Sequence, residues 1–166
     1  MIRRLMIRRL TGVSLFGLLF LLLALATAPA QAEMAGWKVM KTQQSYADLV
    51  ASLEKAIADN KMGLVTRASA TVGAKKMLKK DIPGNMVIGV YRPDFAVRML
   101  EASVPAGIEA PIRFYITENA DGTADLSYRT PSAVFAPYED GGEALKTMAA
   151  ELDGIFAKIA AGATGG

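Results

Sequence analysis

The side chains able to do chemistry in this sequence are few in kind. Neither histidine nor cysteine occurs among its 166 residues. That excludes imidazole base catalysis, a Ser-His triad, thiolate nucleophiles, disulfides, and histidine or cysteine metal cages. Arginines, lysines, carboxylates and hydroxyls remain. The most specific set is Arg67, Arg113, Tyr115 and Arg129. If the three guanidiniums share one sheet face, they can converge on a phosphate, a carboxylate or a sulfur oxyanion. Arg113 and Arg129 oppose one another in the hairpin derived below, and like charges so placed are unfavourable unless something negative lies between them. The plainer reading, favoured by the usual behaviour of surface arginines, seats Glu109, Asp125 or an acid of a partner chain there.

A second basic group is Lys75, Lys76, Lys79 and Lys80 around Met77 and Leu78. It suits weak contact with anionic lipid headgroups, and its plainer reading is a solvated connection. No aromatic residue interleaves with these lysines, so nucleic acid is not a predicted partner. Candidate acid–base carboxylates are Glu109, Glu118, Asp121, Asp125, Glu139 and Asp140, but none has motif spacing and Asp121 is explained by a turn. Asp140-Gly141-Gly142 is not a calcium loop, and neither Ser103 nor Ser132 sits in a nucleophile elbow. The scattered methionines read as core filling. No metal and no cofactor is predicted, and an enzyme has no positive support.

The elements that must position these groups follow from periodicity and caps. Trp37–Lys41 reads as a short strand. Ser45, with Asp48 three residues on, opens a helix carrying Tyr46, Leu49, Val50, Leu53 and Ile57 inward and stopping at Asn60–Gly63. Leu64–Val72 reads as a strand with Leu64, Thr66, Ala68, Ala70 and Val72 on one face and Val65, Arg67, Ser69 and Thr71 on the other. Met86–Tyr91 is a nearly continuous apolar strand, and Pro93 starts a short helix to about Glu101. Ile112–Glu118 and Thr123–Thr130 form a hairpin across Asn119-Ala120-Asp121-Gly122, the pattern of a type I turn followed by a left-handed glycine. That loop sets Phe114 against Tyr128 and Ile116 against Leu126 on one face. Thr117–Asp125, Tyr115–Ser127 and Arg113–Arg129 fall on the other. Gly142–Ala161 is a closing helix with Leu145, Met148, Leu152, Ile155, Phe156 and Ile159 inward, and 162–166 reads as a flexible tail.

The amino terminus is different in kind. Arg3, Arg4, Arg8 and Arg9 precede the apolar run Leu15–Ala26, and Ala30-Gln31-Ala32 follows. This is the order of a secretory signal peptide cleaved after Ala32. An uncleaved inner-membrane anchor is the weaker alternative, because Pro29 ends the apolar stretch short of the roughly 20 residues a span needs. Met1–Leu5 recurs as Met6–Leu10, so either methionine can be the start. The whole chain carries 19 Lys+Arg against 16 Asp+Glu, a net +3. All the acids lie at or after Glu33 while four arginines leave with the signal, so 19 − 4 = 15 bases face 16 acids and the mature domain stands at −1. The sequence thus predicts a periplasmic or secreted protein with one domain over 33–161.

The ordered set Met86-Val87-Ile88-Gly89-Val90-Tyr91-Arg92-Pro93-Asp94, Ala106-Gly107-Ile108-Glu109-Ala110-Pro111-Ile112-Arg113, Tyr115-Ile116-Thr117-Glu118-Asn119 and Leu126-Ser127-Tyr128-Arg129-Thr130-Pro131 resembles the family called domain of unknown function 302. Pro93, Pro111, Glu118 and Pro131 match its pattern, whereas Tyr91-Arg92 stands where a smaller turn belongs. The resemblance implies a two-layer α+β fold similar to the TATA-box-binding-protein-like class. Its mainly antiparallel sheet has about five strands with helices on one face, in β-α-β-β-(short α)-β-β-α order. It also implies a homodimer and carries no activity, and DNA binding does not follow from a fold analogy. The leading expectation is a non-enzymatic binding or interaction module using Arg67, Arg113, Tyr115 and Arg129 for an anionic or amphipathic small ligand. One alternative is a small cofactor-free hydrolase or isomerase using Glu118 with Tyr115 or Arg113, although the hairpin register sets Glu118 on the opposite face. Another is an envelope component held near the membrane by the lysines.

Overall fold

The computed structural model describes residues 34–166; the signal-peptide reading of 1–32 lies outside them. Chain order is β1 (Trp37–Ser45), α1 (Tyr46–Asp59), β2 (Gly63–Ala68) and α2 (Ala70–Gly73), which runs into one π turn over Ala74–Leu78. Next come β3 (Asn85–Tyr91), α3 (Pro93–Ala102), a 3-10 turn over Pro105–Glu109, β4 (Ile112–Glu118) and β5 (Thr123–Arg129). The chain closes with α4 (Pro131–Phe135), a 3-10 turn over Glu139–Gly141 and α5 (Gly142–Thr164). The five strands form one antiparallel sheet in the order β1-β5-β4-β3-β2. The fold is α+β, and Glu33–Gly166 is a compact unit with its own core. Among the described residues, no helix is long and apolar enough to cross a membrane.

Local chemistry sets the junctions. The Ser45 hydroxyl accepts from the Asp48 N–H at 3.2 Å and donates to the Asp48 carboxylate at 2.7 Å, which starts α1. Leu49, Leu53, Ala56 and Ile57 are the buried stripe of that helix. Between β4 and β5 the Gly122 N–H donates to the Asn119 carbonyl at 3.0 Å, and Gly122 takes φ +84°. The pairs Phe114–Tyr128, Tyr115–Ser127, Ile116–Leu126 and Thr117–Asp125 follow, as the loop chemistry predicts. Phe114 and Tyr128 then meet Phe156 of α5, with Phe114 and Phe156 stacked at 4.7 Å between ring centres. This aromatic cluster is the centre of the core between sheet and helices.

Three local expectations need correction, and one element is new. β2 ends at Ala68 instead of Val72, because Ser69 caps α2 and the Asn85 side chain takes the Ala70 N–H at 2.9 Å. β1 runs on to Ser45 through an irregularity after Lys41, and the buried Thr42 hydroxyl donates to the Ala124 carbonyl at 2.7 Å. Pro131 opens a helix, with Val134 and Phe135 buried behind it. Finally, α5 continues to Thr164 where a flexible tail was predicted. Ala163 is buried and its carbonyl accepts from the Gln44 side-chain amide at 2.8 Å, so the helix end is tied to β1.

One further departure concerns register. Leu64 pairs with Val90, but Thr66 pairs with Gly89, so one extra residue bulges in β2 at Val65. Past the bulge every side chain changes face. Thr66 and Ala68 move to the face away from the helices, and Arg67 turns toward α1.

Candidate functional site

The sheet face away from the core helices is assembled from alternate residues of all five strands. One row across it is Ala68, Val87, Tyr115, Ser127 and Val39. The next holds Thr66, Gly89 and Arg113, then Arg129 paired with Trp37. Arg113 and Arg129 lie one step beyond the paired Phe114 and Tyr128, both on this outer face. A groove of about 740 Å³ runs over these rows, with Trp37, Val87 and Tyr115 as its apolar surface and both arginines beside them. Ser69 and Ala70, where β2 passes into α2, also line it. Volume and character suit a small-molecule site, for which about 300–1,000 Å³ is usual.

Three of the four predicted ligand residues therefore meet: Arg113, Tyr115 and Arg129. Arg67 does not join them. The bulge turns it to the helix side, where its guanidinium reaches Glu54 of α1 at 2.8 Å.

The acid anticipated between the arginines is present but remote. Glu109 reaches Arg113 only at 4.0 Å. Its other oxygen accepts from the Tyr138 hydroxyl at 2.8 Å, a bond that raises the Tyr138 phenol above its ordinary range. Asp125, the other acid considered, accepts from the Asn119 side chain at 3.0 Å. The Arg129 guanidinium donates to the Ala133 carbonyl at 2.9 Å, and among the described residues it makes no ion pair. Ser127 is buried in the groove floor and its hydroxyl donates to the Tyr115 carbonyl at 3.4 Å.

The remaining sequence-derived positions hold the scaffold. Glu118 accepts from the Gly84 N–H at 2.6 Å and donates its own N–H to the Gly84 carbonyl at 2.8 Å, which fixes the start of β3. It pairs with Ala124 on the helix side and does not assemble with Tyr115 or Arg113. Pro93 occupies the first turn of α3 beside Arg92, which grips Asp94 with two bonds of 2.7 and 3.0 Å. Pro111 follows a cis peptide after Ala110, and its ring packs over Gly89. Pro131 opens α4. Lys75, Lys76, Lys79 and Lys80 are all exposed on the π turn and just after it. Among the described residues, no group of acids gathers in a metal-binding arrangement.

Trp37, Val87 and Asn85 belong to the groove but were not singled out from the sequence. Trp37 had a visible signal, as an aromatic residue on a candidate strand. Its placement beside Arg129 depends on pairing β1 with β5, which no local pattern specifies.

Among curated proteins, none matches this chain. A solved structure, described as the crystal structure of an uncharacterized conserved protein DUF302 from Bacillus stearothermophilus, has the same fold with a TM-score of 0.68. The two share 16% identity over 76% of this chain and 97% of that one. The family model described as domain of unknown function DUF302 matches residues 38–160, and the chain belongs to that family.

Proposed function

We propose that this domain is a binding module whose outer-face groove takes a small amphipathic anion. One observation carries the reading. Arg113 and Arg129 stand beside an apolar surface of Trp37, Val87 and Tyr115, and the nearest carboxylate, Glu109, is 4.0 Å from one of them. An anionic headgroup would relieve the repulsion between the guanidiniums through paired, charge-assisted hydrogen bonds. An apolar tail would cover the ring and methyl surfaces, at about 25 cal/mol per Å² removed from water. On this reading residues 1–32 direct export, and the mature domain works outside the cytoplasm as a homodimer. Native mass spectrometry of the processed protein reads both points at once, and an unprocessed or monomeric species at high concentration would contradict them.

Trp37 is the only tryptophan of the chain and lines the groove, so its fluorescence reports occupancy. Titration with dodecanoate is expected to give a saturable spectral change, with dodecanol binding clearly more weakly. Combining Arg113→Gln with Arg129→Gln should weaken dodecanoate binding about ten- to a hundred-fold, the scale of lost charge-assisted bonds. Equal binding of acid and alcohol, or no saturation below micelle formation, would refute the reading.

A further inference from the structure

The chain between β2 and β3 makes a projection that the groove does not use. From Ala70 it turns through α2 into the π turn over Ala74–Leu78, and Lys79 then closes it in the left-handed region at φ +56°. The residues of the turn after Ala74 are all exposed. Ala74 is the buried foot of the turn. Met77 and Leu78 of the turn are 80% and 72% exposed, and Val72 of α2 before it is 61% exposed. Two adjacent apolar side chains so bare offer a contact surface, because burying each of them is favourable.

Charge surrounds these two side chains. Lys75, Lys76, Lys79 and Lys80 flank the two apolar residues, and Asp81 is the acid next to them in sequence. Asp81 reaches Lys75 only at 3.6 Å, with both side chains highly exposed, so that pair is weak. Lys79 donates to the Lys76 carbonyl at 3.1 Å, which keeps its ammonium on the turn. A compact cationic collar around exposed aliphatic side chains matches a surface with negative headgroups over an apolar interior.

We propose that the projection over Val72–Lys80 docks the domain on an anionic lipid surface, with Met77 and Leu78 entering the headgroup layer and Lys75, Lys76, Lys79 and Lys80 meeting the lipid phosphates. The projection starts at the groove margin, since Ala70 lines the groove. The docking itself does not depend on the groove having a ligand.

Flotation of residues 33–166, the unit that holds the whole core, tests the docking with phosphatidylcholine vesicles and with vesicles containing phosphatidylglycerol. Binding is expected only to the anionic vesicles and should fall as salt rises. Each lysine changed to glutamine should weaken binding about five-fold, and all four together should abolish it. Met77→Ser with Leu78→Ser should weaken binding at least ten-fold with every lysine kept. These side chains are exposed, so circular dichroism melts of all variants should match the parent. Arg113→Gln with Arg129→Gln should leave vesicle binding unchanged, which separates this surface from the groove. No binding to anionic vesicles, equal binding to neutral ones, or indifference to either set of changes would overturn the proposal.

Discussion

Gly89 sits where two neighbouring segments press on one backbone position. A Cβ there would collide with the Thr66 hydroxyl and come within 2.7 Å of the Pro111 ring. The hydroxyl can rotate away, but the proline ring is fixed by its own backbone. Gly89→Ala is therefore expected to destabilise the domain by about 1–3 kcal/mol. Relief of chain entropy alone would instead stabilise it by about 0.4–1 kcal/mol, so the sign is diagnostic. A lower urea midpoint with an unchanged slope would bear this out, and a raised midpoint would refute it. Arginine placement teaches a related lesson at the same scale. Simple alternation along β2 sets Arg67 on the face opposite Leu64, but the single extra residue at Val65 returns it to the face of Leu64 and sends Thr66 and Ala68 to the other. It is the pairing with Ile88, not the alternation, that reveals Arg67 on the helix side with Glu54. A bulge leaves no mark in the pattern of one strand, so the membership of the arginine set could not be read from it.

Elements whose shape is decided within a few residues were legible. The Ser45 cap and the Asn119–Gly122 turn each bring their own partners, so α1 and the β4–β5 register follow from side-chain chemistry alone. Replacing Ser45 with Ala removes both bonds to Asp48 and should cost about 1 kcal/mol. For a domain of this size that lowers the melting temperature by about 3–6 °C. Calorimetry reads it directly, and an unchanged transition would show that the cap is idle. Elements decided by distant partners were not legible. Pairing of β1 with β5 joins Trp37 to Arg129, and the final turn of α5 persists because Ala163 reaches Gln44. Half of the groove was thus visible as the hairpin face, and the half that Trp37 supplies was hidden.

At the scale of the whole molecule, the shifted acids among the described residues are three carboxyls and three phenols. Its lowered carboxyls are Asp94, bonded by Arg92, Asp121, bonded by Thr123, and Glu151, bonded by Arg98. Each contributes stability that is complete above its ordinary value of 3.8 or 4.5 and is lost as pH falls through the lower folded value. Burial raises the Tyr46 and Tyr128 phenols, and the Glu109 bond raises Tyr138. Their contribution is complete below the ordinary value of 10.0 and is lost as pH rises through the folded values. With no histidine between these limits, the denaturant midpoint should be flat across neutral pH and fall at both ends. A step at about pH 6 to 8, where histidine would titrate, would contradict this account.

The two outer strands of the sheet have a consequence for how copies of the domain can associate. β1 and β2 leave open backbone edges, the usual templates for strand addition and fibre growth. Lys38 and Lys41 are exposed along β1, and the kink at Val65 breaks the straight line of hydrogen-bonding groups along β2. Both devices deter a foreign strand. Guarded on both sides, the sheet offers a poor seed for endless extension from copy to copy.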